Sequence, residues 1–380
     1  MRVLHVISGG DTGGGKTHVL TLVSELRKSI PVSIMCFMEG PFSREARDLG
    51  LDIQVATQRG RYDLSVVRAL VRSVRELGTS IVHAHGARAN FVTVLAKPGL
   101  GVPLVTTVHS DYRRDFAHSL YKHLVFTSLN TLALRFFDHY IVVSAPVGEL
   151  LHGQGIAQNR IHQVRNYLAR VESPGDRQEF LRSYRLDRLA GNLRIGALGR
   201  LHGVKGQDVL VRAAELVCGR FPDVHFLLGG DGPSRGSLEA QVAGLGLEER
   251  VHFLGHIARP VDFLHALDIH VLPSRSETFP YVVLEAATLG VPTVATDVGS
   301  VSELIRHDHT GLLVPADDAQ ALASAIAELV SDPGRAKRLG DNLRLTAQPF
   351  FSPGDMARRH LDIYQGILDA AGTKAPTTLV

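Results

Sequence analysis

Two cations and two carboxylates stand at spacings that suggest chemistry. Arg200 and Lys205 lie in Gly199-Arg-Leu-His-Gly-Val-Lys205-Gly206. Glu277 and Glu285 lie in Leu272-Pro-Ser-Arg-Ser-Glu277-Thr-Phe-Pro-Tyr-Val-Val-Leu-Glu285. A guanidinium offers a planar fork and an ammonium a point charge, so a glycine loop carrying both suits a diphosphate. Carboxylates accept from neutral hydroxyls, such as those of a sugar. Pro280 suits the first turn of a helix, which places Glu277 in the preceding loop and Glu285 in the second turn. The amide groups of Phe279, Tyr281 and Val282 then sit where a helix N-terminus receives phosphate.

Three further stretches fit the same theme. Val251-His-Phe-Leu-Gly-His-Ile257 reads as a strand whose exit, Gly255 and His256, lets a base pack on backbone. Leu228-Gly-Gly-Asp-Gly-Pro233 is another glycine turn. Near the N-terminus, Gly10-Asp-Thr-Gly-Gly-Gly15-Lys16-Thr17 satisfies the pattern G-x4-G-K-[ST], which in an ATPase puts the lysine on phosphate and the hydroxyl on Mg²⁺. That mechanism also needs an acidic residue at the end of another strand. The neighbouring apolar runs end instead in His-Ala-His (83–85), Val-His-Ser (108–110) and Val-Ser-Ala (143–145). A P-loop NTPase is therefore the alternative reading.

The elements that must position these residues alternate. Short apolar runs at 3–7, 32–37, 53–56, 81–84, 104–108, 140–143 and 161–164 are separated by amphipathic stretches such as 17–27 and 65–77. A second series runs through 194–198, 225–228, 251–254, 269–272 and 292–295. Repeated βαβ units predict parallel sheets in an α/β protein. The 380-residue length suits two domains. Residues 1–170 form the first, the polar stretch 171–192 is read as a linker with one short helix, and 193–352 form the second. The amphipathic segment 353–372 is expected to pack back on the first. Cys36 and Cys218 alone exclude a disulfide framework, and no apolar run is long enough to span a bilayer, so a cytoplasmic protein is expected. Up to residue 172 there are 20 Lys and Arg against 13 Asp and Glu, and the remainder is acidic on balance. A basic first half favours an anionic or lipid-linked acceptor. With Tyr112-Arg-Arg-Asp-Phe116 and the apolar residues up to Phe126, it also raises peripheral contact with the membrane's inner face.

Taken together the motifs resemble the retaining glycosyltransferases of family 4, the group 1 glycosyltransferases. The carriers are the E-x7-E spacing of Glu277 and Glu285, the G-R-x4-K-G loop, Gly13-Gly14-x3-His18, and Thr107-Val-His109. The resemblance implies a GT-B fold, two Rossmann-like domains facing each other across a cleft. It implies that Arg200 and Lys205 hold the donor diphosphate, that Glu285 accepts from the ribose and Glu277 from the transferred sugar. His109 would contact that sugar, and Gly13 and Gly14 would let backbone approach the phosphate. The catalytic group is then His109, Glu277, Arg200 and Lys205. The donor is a nucleotide sugar, with UDP the base expected from the breadth of the family; it is a substrate, and no cofactor is expected. This sequence departs from the family at Val204, often acidic there, and at Pro280, often glycine. There is no Asp-x-Asp pair to hold a metal, so transfer is expected to be metal-independent and, by resemblance, retaining. The expected role is in cell-surface glycan or glycolipid synthesis. No nucleic-acid partner is expected. A sugar-nucleotide epimerase of the same fold and a catalytically inactive binding protein remain as rivals.

Overall fold

A computed structural model describes residues 1–10, 13–58, 63–113, 127–168 and 173–372. The chain divides into two compact units. The first is Met1–Tyr167 together with the chain from Ser352 onward, and the second is Leu168–Phe351.

The first unit holds seven parallel strands: β1 (Val3–Ile7), β2 (Val32–Cys36), β3 (Ile53–Val55), β4 (Ile81–His85), β5 (Leu104–Val108), β6 (His139–Val142) and β7 (Ile161–Gln163). Their order in the sheet is β3-β2-β1-β4-β5-β6-β7. β1, β2, β4 and β5 are buried along their whole length, because helices cover both faces. On one face Val3 and Ile7 pack with helix Gly14–Leu26 and with helix Pro353–Ala370 through Met356, Tyr364 and Leu368. The other face, with Leu4, Val6, Val82 and Ala84, packs under Ser65–Leu77 and Ala87–Leu100.

The second unit holds β8 (Leu193–Leu198), β9 (Val224–Gly229), β10 (Val251–Gly255), β11 (Ile269–Leu272), β12 (Thr293–Thr296) and β13 (Leu312–Val314), all parallel, in the order β10-β9-β8-β11-β12-β13. Each sheet reverses its winding once, between β1 and β4 and between β8 and β11. Ligands of open parallel sheets bind at the carboxyl ends of strands at such a point.

Two features differ from the sequence reading. β13 was not anticipated: Leu312–Val314 is only three residues between Gly311 and Pro315, too short for a periodic signal. The stretch 171–192 is more than a linker. The expected short helix is Arg177–Ser183; a 3₁₀ turn at Asp187–Leu189 was not expected, and Leu181, Leu186 and Leu189 are buried against Phe263, Leu264 and Leu267. Arg177 also fixes it, donating to the Ala266 carbonyl and to Asp268 at 2.6 Å. The basic–apolar segment beginning at Tyr112 lies from residue 114 to 126 outside the described residues. Among the described residues no helix is long and apolar enough to cross a membrane.

Candidate active site

In the second unit Lys205 and Glu277 meet at the switch point between β8 and β11, while Gly255 and His256 lie at the exit of the edge strand β10. β8 ends at Leu198, and its exit loop carries exposed Arg200 and then the 3₁₀ turn Gly203–Lys205. Gly206 caps helix Gln207–Arg220 with φ 65°, and a Cβ there would lie 1.9 Å from the Pro273 carbonyl oxygen. That approach brings the exit loops of β8 and β11 together. Lys205 Nζ then reaches Glu277 Oε1 at 2.6 Å, and Ser274 Oγ donates to the same oxygen at 2.6 Å. The Glu277 side chain is 8% exposed and Lys205 34% exposed, so the pair sits at the mouth of the site rather than in the core. Gly299, at φ 58°, packs on the Glu277 carbonyl, where a Cβ would lie 1.7 Å from the oxygen.

Arg275 ties the two loops from behind. It donates to both carboxylate oxygens of Asp208 at 2.8 and 2.7 Å, to the Gly203 carbonyl at 2.5 Å, and to Asp317 at 2.6 Å. These bonds raise its pKa further above the ordinary guanidinium value, the contact with Asp208 contributing most. The sequence reading passed over Arg275; its only signal was a basic residue inside the Glu277 loop.

Pro280 is the N-cap of helix Tyr281–Leu289 rather than its first residue, so the helix starts one residue later. Glu285 lies in its second turn as expected. Its carboxyl keeps some exposure yet is crowded on most sides by protein, and that burial pushes it up to about 7. The Tyr281 phenol is buried without a hydrogen-bond partner, and burial raises its pKa, with a smaller push from Glu285. The Phe279 ring is buried 5.3 Å from Phe350, in the core. Val282 is half-buried in the first turn. Gly255 turns at φ 67°, accepts a hydrogen bond from Gly230 N at 2.7 Å, and leaves His256 exposed.

In the first unit Gly13, at φ 71°, caps helix Gly14–Leu26, and Gly14 opens it. Residues 11 and 12 of the P-loop match lie outside the described residues; Lys16 is paired with Glu45, and Thr17 Oγ1 donates to the Gly13 carbonyl at 3.3 Å.

His109 follows β5 and joins a cluster that the sequence reading did not assemble. His5 and His83 are paired across β1 and β4, and His85 lies two residues further along β4 on the same face. His18 comes from helix Gly14–Leu26, and His360 and Tyr364 from Pro353–Ala370. Five of these histidines, all but His109, are 0–2% exposed. His83 bonds Tyr364 Oη at 2.6 Å and Thr107 Oγ1 at 2.7 Å. His18 bonds Asn166 Oδ1 at 3.1 Å, and His360 the Met356 carbonyl at 2.8 Å. Burial is the largest cause that lowers every one of their pKa values, to about 3 for His5 and His360 and about 4 for His18, with mutual repulsion adding to it for His83, His85 and His109. All six are neutral at physiological pH. His5, His83 and His85 have ligand nitrogens within 4.8 Å of one another, the spacing of a metal site. Both nitrogens of His83 and of His85 are already hydrogen-bonded, and no carboxylate is bonded to the trio among the described residues. Neutral, engaged donors fit a buried polar network better than a dication.

Two Rossmann-like parallel sheets, each with a glycine turn following the strand at its switch point, have the architecture of the GT-B fold. Residues 12–168 match the family model described as "Glycosyltransferase Family 4", and residues 192–332 that described as "Glycosyl transferases group 1". The chain is 30% identical to an alpha-D-kanosaminyltransferase of Streptomyces kanamyceticus, over 73% of this chain and 75% of that one. It is 28% identical to a D-inositol 3-phosphate glycosyltransferase of Rhodococcus jostii, over 90% and 82%. Among solved structures, HepE of Anabaena in complex with UDP-glucose superposes with a TM-score of 0.83 at 24% identity, over 98% of this chain and 100% of that one. The protein belongs to glycosyltransferase family 4 and is a glycosyltransferase, which displaces the P-loop NTPase reading.

Proposed function

We propose that the enzyme transfers a sugar from a UDP-sugar to an acceptor hydroxyl with retention and without a metal. The observation that carries this is the Lys205–Glu277 pair, fed by two loops that meet at the switch point of the second sheet. In this reading Arg200 and Lys205 neutralise the departing diphosphate, as positioned cations do elsewhere for developing charge. Glu277 holds hydroxyls of the transferred sugar, with Ser274 keeping it in place. Glu285 accepts from the ribose, and the first-turn amides of Tyr281 and Val282 face phosphate. His109 contributes from the first unit, where Gly13 and Gly14 let backbone approach the phosphate, and Gly255 and His256 flank the base. The UDP complexes of HepE support the choice of base. The basic first half of the sequence supports an anionic or lipid-linked acceptor of the kind used in cell-surface glycan synthesis, met at the inner face of the membrane.

Thermal shift across UDP-, GDP- and ADP-sugars tests the donor, because a ligand bound only by the folded state raises the melting temperature by mass action. Stabilisation by UDP-sugars alone is expected; a preference for another base overturns that part. Turnover in EDTA and the anomeric configuration of the product test the rest. A requirement for Mn²⁺ or Mg²⁺, or an inverted product, counts against it. Epimerised donor without acceptor would mark the enzyme as an isomerase.

A further inference from the structure

The histidine cluster contains a directional chain. His5 Nδ1 lies 3.0 Å from His85 Nε2, and His85 Nδ1 lies 3.4 Å from His109 Nε2. Each ring is neutral and carries one proton, so fixing one tautomer fixes all three. Two arrangements are open. In the first, His5 carries its proton on Nδ1 and donates to His85. His85 then donates from Nδ1 to His109, whose own proton must sit on Nδ1. In the second every proton moves to Nε2 and every bond reverses.

His5 Nε2 decides between them. It is buried and has no hydrogen-bond partner. In the second arrangement it would be an N–H donor with no acceptor; in the first it is only a bare lone pair. Orphaned buried donors are rarer than orphaned acceptors. Two neighbours show the same preference. His360 Nδ1 faces the Met356 carbonyl, which can only accept, so that ring is protonated on Nδ1 and its unpartnered Nε2 is a lone pair. His18 Nδ1 faces Asn166 Oδ1 with the same result at its own unpartnered Nε2.

We propose that His5 and His85 are positioning residues that hold His109 as the Nδ1–H tautomer, so that the His109 ring has no lone pair free to serve as a base. This rests on the glycosyltransferase reading of His109. With Nε2 occupied by the His85 proton, the ring has no lone pair to take a proton from the acceptor hydroxyl.

Long-range ¹H–¹⁵N correlation spectra of the full chain, labelled at histidine nitrogens, read the tautomers directly. His5→Leu and His109→Asn spectra assign the signals. The expected result at neutral pH is a protonated Nδ1 and a bare Nε2 on His5, His85 and His109. An Nε2–H on His109, or averaging between the two forms, overturns the proposal. In kinetics, His5→Leu should lower kcat by about tenfold, as loss of an outer partner does at other sites. Donor KM should stay within about twofold. His5→Asn, whose amide nitrogen replaces Nδ1, should recover most of the rate. An unchanged kcat in His5→Leu also overturns it. Should that variant fail to fold, the wild-type spectrum still decides. Failure of the glycosyltransferase reading would look different: the tautomers as assigned, in a protein that binds no UDP.

Discussion

Lys205 and Glu277 leave different strands, β8 and β11, yet their charged atoms meet at 2.6 Å, because Gly206 lets one loop lie against the Pro273 carbonyl of the other. The lysine is thereby held before a donor arrives, and the carboxylate is turned toward the same spot. Lys205→Ala should weaken donor binding by about 1.5–3 kcal/mol, the worth of a charge-assisted hydrogen bond, which is about ten- to a hundredfold. Glu277→Gln should leave UDP affinity nearly unchanged and lower kcat with the sugar nucleotide. Lys16→Ala should be the mildest, since the chain belongs to glycosyltransferase family 4 and Lys16 lies outside the loops proposed to hold the diphosphate. Calorimetric titration with UDP and a UDP-sugar, beside turnover, checks the order. Inactivation by Lys16→Ala with a normal Lys205→Ala would reverse the assignment.

Gly206→Ala tests the close approach itself. Its φ of 65° is strained for alanine, and the added methyl would meet a backbone oxygen at 1.9 Å. We expect a loss of about 1–3 kcal/mol of stability, the usual cost of such a backbone state, together with weakened donor binding. Gly199→Ala is the control, because a Cβ there meets nothing within 4 Å and φ is not in the left-handed range. Denaturant melts of both variants check this; equal stabilities would show that the loop yields freely.

The second unit's charged loops were legible in sequence because each motif is local: a strand, a glycine turn and a helix start, with the charged residue a fixed number of positions from the glycine. The alternation of apolar runs gave the parallel sheets for the same reason. The histidine cluster was not legible. His5, His18, His85, His109 and His360 come from five separate segments, and only the sheet register and the return of Pro353–Ala370 bring them together. A faint signal existed: His5 in Val-Leu-His-Val-Ile and His83 in Ile-Val-His-Ala-His interrupt runs that burial reserves for apolar side chains. The short helix expected in 171–192 is present, but the burial of Leu181, Leu186 and Leu189 was not legible, because three leucines so widely spaced show no helical face.

Glu285 should make donor binding depend on pH. Burial raises its folded-state pKa to about 7 from an ordinary 4.5, so the empty enzyme carries it largely protonated below neutrality. That raised value stabilises the apo fold fully below pH 4.5, and the contribution is lost as pH rises through 7. A ribose hydroxyl donates to the ionised form, so affinity for a UDP-sugar should climb from pH 6 to 8 and then level. Binding at pH 6.5 should release protons, visible as a buffer-dependent enthalpy. Glu285→Gln should bind more weakly and with a flat profile. A flat profile in the wild-type enzyme would mean that Glu285 does not accept from the nucleotide.

Acid should unfold the first unit before the second. Six histidines there, His5, His18, His83, His85, His109 and His360, have folded-state pKa values held below 6.5, chiefly by burial. In the unfolded chain each titrates at its ordinary value. Between that value and the lowered ones the unfolded state binds more protons, so stability falls as pH drops through 6.5, and each histidine contributes about 1.4 kcal/mol per pH unit on the steep part of the slope. Even a fraction of that total rivals the whole stability of a domain. Among the described residues the second unit has a single fully buried histidine, His270, with its pKa lowered to about 3 by burial, and the less deeply buried His225 and His252. Hydrogen exchange followed from pH 7.5 down to pH 5 should therefore lose protection first in β1, β4 and β5 and in helix Pro353–Ala370. β8 and β9 should hold longer. Replacing His360, whose Nε2 has no partner, by Leu should move the acid transition of the first unit to lower pH, since one group no longer binds a proton on unfolding. A transition unmoved by His360→Leu, or one that starts in β8 and β9, would show that the cluster does not set the acid limit.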